Sequence, residues 1–256
     1  MALLLKVYPV PLVTIRLVKP GLLNGVKTRF YAWNNGDPPK ELNGLHPLAE
    51  VISPRIDFTW FEKPHEKITS EKFIAEFKGF IKIDEPGVYR FYVVSGNGVL
   101  FSVGDEILID TWSSQESRIH SSPEIRLNKG FKRIVLLYYN RARHSEVRLG
   151  WVKPGGRVEV IPDDRYYFSI GEHVFITGLP DGYVVRMLPL KDVSSEKTCV
   201  SLMNICMVEV PWREQPLEAY VSIYNREEKV FARFSEPLVF FGGDEYIVEY
   251  LGGNQH

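Results

Sequence analysis

The sequence predicts an all-β protein made of two successive antiparallel β-sandwiches, and three observations carry that expectation. Apolar residues alternate with polar ones over short stretches, turn residues recur between those stretches, and no segment shows a convincing helical period. The alternation is clearest from Phe73 to Trp112. Phe73, Ala75, Phe77, Gly79, Ile81 and Ile83 fall on one face of a strand, with Glu76, Lys78 and Lys82 on the other. Glu85-Pro86-Gly87 turns the chain into a second strand, Val88 to Val94, and Ser95-Gly96-Asn97-Gly98 makes the next turn. Val99 to Val103 and Glu106 to Asp110 then form a hairpin around Gly104-Asp105.

Taken in order, residues 1–20 are expected to be an edge strand or an arm. Val13, Ile15 and Leu17 alternate against Thr14 and Arg16, whereas Pro9 and Pro11 bar a central strand. Val26 to Trp33 reads as the next strand. The polar loop Trp33 to Pro47 follows, and loops of that length in compact domains are uncommon unless functional, so it is a first candidate for a binding edge beside the plainer reading of a surface excursion. Ile56, Phe58 and Trp60 alternate toward a core, Phe61 to Ser70 is a charged loop, and Trp112 to Pro123 is a polar one. Glu124 to Leu127, a turn at Asn128-Lys129-Gly130, and Phe131 to Tyr139 make a hairpin, and Val147, Leu149 and Trp151 alternate after it.

From Ser169 a new set of short strands begins, at Val174–Thr177, Tyr183–Leu188, Thr198–Leu202, Ile205–Val210, Leu217–Tyr224, Val230–Phe234 and Tyr246–Tyr250. Their number and spacing predict a small immunoglobulin-like β-sandwich over residues 169–256. Cys199 and Cys206 are the only cysteines. If Leu202-Met203 is a hairpin turn they face each other across one ladder and can bridge; the alternative is two free thiols in a β-core.

Composition narrows the partners. A chain of 256 residues with 45% apolar residues can bury proper cores, and a net charge of −1 with a pI near 6.6 sets up no field that attracts nucleic acid or anionic membrane. No run is long enough for a membrane span, so no membrane insertion is expected. The N-terminal MALLLKVYPVPLV has an apolar core only from Ala2 to Leu5 and no small-residue cleavage site, so it reads as structure rather than a signal peptide. Only three glutamines, with 25% charged residues, lean toward a thermophilic source.

The blocks GLLNGVKTRFYAW, RIDFTW, FKGFIKIDEPGVYRFYVVSGNGVLFSVGDEILIDTW, IRLNKGFKRIVLLYYN, EVRLGWVKPGG and VIPDDRYYF occur in an order that resembles the PA-14 (protective-antigen) domain family. The resemblance covers residues 21–168 and implies a PA-14-like antiparallel β-sandwich of the kind found in toxins, adhesins, lectins and as non-catalytic inserts in glycosidases. It also implies glycan recognition. In lectin members the turn matching Ser95 to Gly98 holds two consecutive aspartates that bind calcium; here Gly96 and Asn97 stand in those places, so no metal or other cofactor is expected. Asn97 reads as a turn residue at positive φ. Asp110 and Trp112 match the family's Ile-Asp-x-Trp block, with Trp112 either a sugar-stacking platform or an anchor at the core edge. Asn140, Arg141 and Arg143 follow the Tyr138-Tyr139 strand in a loop that the resemblance places near that turn, available to a glycan or acidic partner or simply solvated.

Enzyme constellations are missing from the sequence. Asp163-Asp164 and Glu227-Glu228 are adjacent pairs in turns, and the six histidines show no metal-ligand spacing. The expectation is a non-catalytic, surface-exposed binding or adhesion protein, with ligand-binding residues Asn97, Trp112, Asn140 and Arg141. It would be extracellular or on a virion surface without a recognisable signal peptide. The alternative is a structural subunit, a homo-oligomer or an assembly with structural partner proteins, as in a virion, pilus or sheath; a third reading is a positioning module for a separate glycosidase.

Overall fold

The computed structural model describes residues 13–113, 116–141 and 144–250. The chain divides into two compact units, Asn24–Phe168 and a second that joins residues up to Leu23 to those from Ser169 onward. Among the described residues no helix is long and apolar enough to cross a membrane.

The first unit is a two-sheet antiparallel sandwich. One sheet runs in the order Ala49–Ser53, Val26–Ala32, Phe73–Ile83, Gly130–Asn140, Val99–Val103 and Glu106–Thr111, and Tyr166–Ser169 also pairs with Phe73–Ile83. The other runs Arg118–Leu127, Gly87–Ser95 and Ser145–Val152, with Asp57–Trp60 and Val158–Val160 both paired to the last. Phe73, Phe77, Ile81, Phe91, Phe101, Leu136 and Trp151 meet between the sheets. Each such side chain contributes about 2–3 kcal/mol on burial, which makes the alternating face of Phe73–Ile83 the axis of the unit.

Two stretches depart from the sequence expectation. Ile74 lies on the face of Phe73–Ile83 assigned to polar residues, yet it is fully buried, because the Trp33 to Pro47 segment folds over that face and buries a second cluster of Tyr31, Trp33, Ile74 and Tyr139. The first half of the supposed loop Trp112 to Pro123 gives way to strand at Arg118. Its inward residues, His120 and Ser122, are polar and 7% and 5% exposed, so no apolar alternation marked the strand. Ser122 shows how the polar choice works: the ladder register shifts near Pro123, and the Ser122 hydroxyl accepts the Phe91 backbone N–H at 2.9 Å in place of a carbonyl.

The second unit is also a two-sheet sandwich. Val13–Lys19, Glu245–Tyr250, His173–Thr177 and Ile205–Glu209 form one sheet. Lys197–Val200, Val184–Pro189, Leu217–Tyr224 and Val230–Arg233 form the other, with Leu238–Phe240 also against Leu217–Tyr224. The chain alternates between sheets in the order of the B, C, C′, E, F and G strands of an immunoglobulin-like fold. The place beside the first of these is taken by Glu245–Tyr250, running parallel to His173–Thr177, and Val13–Lys19 closes the edge antiparallel to it. The expected edge strand is thus a strand of the C-terminal unit, and residues 1–12 of the arm lie outside the described residues.

Cys199 and Cys206 stand with Cα atoms 5.7 Å apart, within disulfide reach, though not across one ladder. The hairpin turn is Met203-Asn204, both at positive φ, rather than Leu202-Met203. Beyond that tip the strands diverge, so Cys199 pairs with Val185 in one sheet and Cys206 with Ile176 in the other. The two sulfurs therefore meet between the sheets.

Candidate functional site

At one end of the first unit the loops that follow Ala32, Trp60, Ser95, Thr111 and Asn140 come together, and their contacts define what is available to a ligand. Asn97 is only 5% exposed and does not take the left-handed conformation expected of it. Its side-chain amide donates to Asn140 Oδ1 at 2.9 Å, Asn140 Nδ2 donates to the Ser70 carbonyl at 3.0 Å, and the Ser95 hydroxyl donates to the Asn97 carbonyl at 3.0 Å. The Tyr138 phenol lies 3.4 Å from Asn140 Oδ1, and burial holds it above its ordinary pKa, so it is a neutral donor throughout the physiological range. Gly98 is required beside this network, since an added Cβ would clash with the edge of the Tyr139 ring.

This donor set does not fit calcium. Calcium takes about six to eight oxygens, several of them anionic, whereas here a neutral amide oxygen is committed to a neighbouring amide N–H. Among the described residues no group of three or more His, Cys, Asp or Glu is placed to hold a metal ion. Asn97 and Asn140 join the turn to the strand end, and neither presents its side chain to solvent.

Trp112 is placed as an anchor. Its indole N–H donates to the Pro38 carbonyl at 2.8 Å, and its ring meets Tyr139 edge-on at 4.9 Å between centroids. Asp110, two residues earlier, accepts Lys40 Nζ at 2.8 Å. Leu42 and Leu45 pack on the same cluster, so the Trp33 to Pro47 loop is strapped to the sheet by the two residues of the Ile-Asp-x-Trp block. Arg141 pairs with Asp37 at 2.6 Å, and its guanidinium lies 5.9 Å from the Tyr139 ring centre. Asp37 is 97% exposed, so this pair is a surface feature free to exchange for a ligand at little cost. Arg143 lies outside the described residues.

Phe61 and His144 were not singled out from the sequence. Phe61 is 75% exposed and its ring lies 5.2 Å from that of His144, a position set by the pairing of Trp60 with Ser145. The available signal was a large aromatic opening a charged loop, where an apolar ring has no core to enter.

A second cleft of about 250 Å³ in this unit is lined by Tyr89, Trp151, Lys153, Glu159 and Arg165. Its polar groups satisfy one another: Glu159 accepts Trp151 Nε1 at 2.8 Å and Lys153 at 2.9 Å, and Arg165 pairs with Asp84. The adjacent carboxylates Asp163 and Asp164 are likewise engaged, with Arg55 at 3.3 Å and Arg165 at 3.4 Å.

Comparison with known proteins places these features in a family. Over 122 residues the chain is 34% identical to the anti-sigma-I factor RsgI3 of Acetivibrio thermocellus, a match covering 47% of this chain and 19% of that protein. The chain thus spans about a fifth of the length of this curated relative. An anti-sigma factor domain-containing protein from Clostridium clariflavum is similar in structure with a TM-score of 0.50 and 29% identity, over 58% of this chain and 49% of that one. A PA14 sugar-binding domain from an RTX adhesin shares the fold at 15% identity and a TM-score of 0.51, over 57% of this chain and 99% of that one. The family model described as PA14 domain matches residues 23–165, more than half of the sequence, and the chain belongs to the PA14 domain family.

Proposed function

We propose that the PA14 unit is a non-catalytic carbohydrate-binding module that recognises a glycan at its loop end without calcium. The observation that carries this reading is the exposed Phe61–His144 ring pair, in a loop cluster whose other aromatics are spent on packing. An exposed ring offers a face to the C–H surface of a sugar. Arg141 and Asp37, paired with each other across the surface, supply donors and acceptors for hydroxyls. The sugar-binding adhesin domain of the same fold supports the class of ligand. Asn97, Asn140 and Trp112 support the site from beneath.

The test is a glycan array on the purified chain, followed by titration of the best glycan with Phe61→Ala. The expected result is weak binding that the variant loses while its melting temperature stays unchanged. An array without binding, or a Phe61→Ala variant that binds as the parent does, removes the reading. The likeness to anti-sigma factors favours a second reading that contains the first: the module is the extracellular, ligand-sensing part of a cell-surface signalling protein. Its test is whether glycan changes transcription from the promoter that the cognate sigma factor serves.

A further inference from the structure

The second unit carries a groove of about 590 Å³ on the outer face of one of its sheets. The strand Leu217–Tyr224 alternates cleanly, with Ala219, Val221 and Ile223 buried, so Tyr220, Ser222 and Tyr224 share the outer face. Ser222 pairs with Arg186 on one side and with Arg233 on the other, which lays a row Arg186–Ser222–Arg233 across three strands. Tyr220 and Tyr224 flank that row, and Arg186 lies over the Tyr224 ring at 4.4 Å.

Among the described residues one buried donor here lacks a partner, in contrast to the cleft beside Trp151. Arg186 Nε is buried without a hydrogen-bond acceptor; the nearest carboxylate oxygen, on Glu196, is 4.0 Å away. Arg233 is exposed. The buried, unpartnered Nε of Arg186 and the exposed guanidinium of Arg233 stand on either side of the Ser222 position, and a carboxylate from outside matches their geometry. Tyr220, 40% exposed, offers an aromatic face next to them. An added peptide strand would dock at a sheet edge, whereas this groove lies on a sheet face with rings at its sides.

We propose that this groove is a second ligand site, for an acidic sugar whose carboxylate is held between Arg186 and Arg233 while its ring lies on Tyr220. Arg186 fixes the anion because its stacking on Tyr224 sets the plane of the guanidinium, and Arg233 closes on it from the neighbouring strand. Glu196 at the rim disfavours ligands that carry dense negative charge. The site is independent of the PA14 loop end, so binding here survives loss of Phe61.

The experiment titrates the whole chain with a tetrasaccharide containing glucuronic acid, its carboxyl-reduced neutral counterpart, a glutamate-rich peptide and inorganic phosphate, each followed by calorimetry. The uronate is expected to bind, with the neutral counterpart, peptide and phosphate each weaker by roughly tenfold or more. Arg233→Gln is expected to lower uronate affinity by roughly tenfold without moving the melting temperature, and Phe61→Ala to leave it unchanged. Equal binding of the neutral sugar, peptide or phosphate overturns the proposal, as does uronate affinity that Arg233→Gln leaves intact or Phe61→Ala removes. Absence of uronate binding overturns it outright, and Phe61→Ala losing only glycan-array binding separates that outcome from the fate of the PA14 reading.

Discussion

Asn97 and Asn140 are 43 residues apart in sequence and joined by a 2.9 Å hydrogen bond from the Asn97 side-chain amide to Asn140 Oδ1. The pair ties the Ser95–Gly98 turn to the end of the strand Gly130–Asn140, and Asn140, with no exposed surface, passes the connection on to Ser70. Truncating either amide removes a hydrogen bond made between buried side chains. Asn140→Ala is expected to cost about 2–3 kcal/mol in urea unfolding and Asn97→Ala about 1–2 kcal/mol. A loss below a few tenths of a kcal/mol in both would show that the network carries no load.

The same pair makes a statement about metal. With a neutral amide contact where calcium ligands would have to stand, the melting temperature is expected to be identical in millimolar calcium and in chelator. A calcium-dependent rise would require ligands that these side chains do not provide.

Trp112 holds the Trp33 to Pro47 loop by its indole N–H and by its packing on Tyr139. Trp112→Ala is expected to destabilise the chain by roughly 3 kcal/mol, and Trp112→Phe by about 1–2 kcal/mol, since the latter keeps a ring and loses the bond to Pro38. Glycan binding lost in Trp112→Ala is thus a stability effect unless Trp112→Phe loses it too. Chemical denaturation of both variants settles the order.

His120 faces inward on the strand Arg118–Leu127, where burial, and then the charge of Arg118, lowers its pKa from 6.5. The fold therefore prefers the neutral ring. Its contribution to stability is complete above pH 6.5 and declines as the pH falls from there through the lowered folded value. In a pH series of urea midpoints the stability of the parent relative to His120→Gln is expected to hold steady above 6.5 and to shrink below it. A difference that is flat across acid pH would contradict the assignment.

Cys199 and Cys206 are expected to be bridged in protein purified without reductant, giving no reactive thiol in the native or denatured chain. With seven residues of sequence separation the closed loop is small, and Cys199→Ser with Cys206→Ser is expected to lower stability by roughly 2 kcal/mol. Two titratable thiols in the denatured, unreduced chain would reject the bridge.

Period, turn chemistry and block order in the sequence determined the all-β class, the strand Phe73–Ile83 with its buried face, and the family. These are local properties: alternation and turn residues act within a few positions, and the matching blocks are contiguous. The sequence could not show that His120 and Ser122 are strand residues, because a polar side chain marks an inward position only when its partner, such as the Phe91 N–H, is known. Nor could it show that Asn97 bonds Asn140, that Trp112 pins Pro38, or that Val13–Lys19 pairs with Glu245–Tyr250. Those relations join residues tens to hundreds of positions apart, and only the packing of sheets brings them within hydrogen-bond range. The candidate site divides the same way. Asn97, Trp112, Asn140 and Arg141 were legible as a loop cluster, but only tertiary structure shows that the two asparagines are buried, that the Trp112 indole bonds Pro38, and that Phe61 and His144 are exposed beside each other, because exposure depends on what the rest of the chain covers.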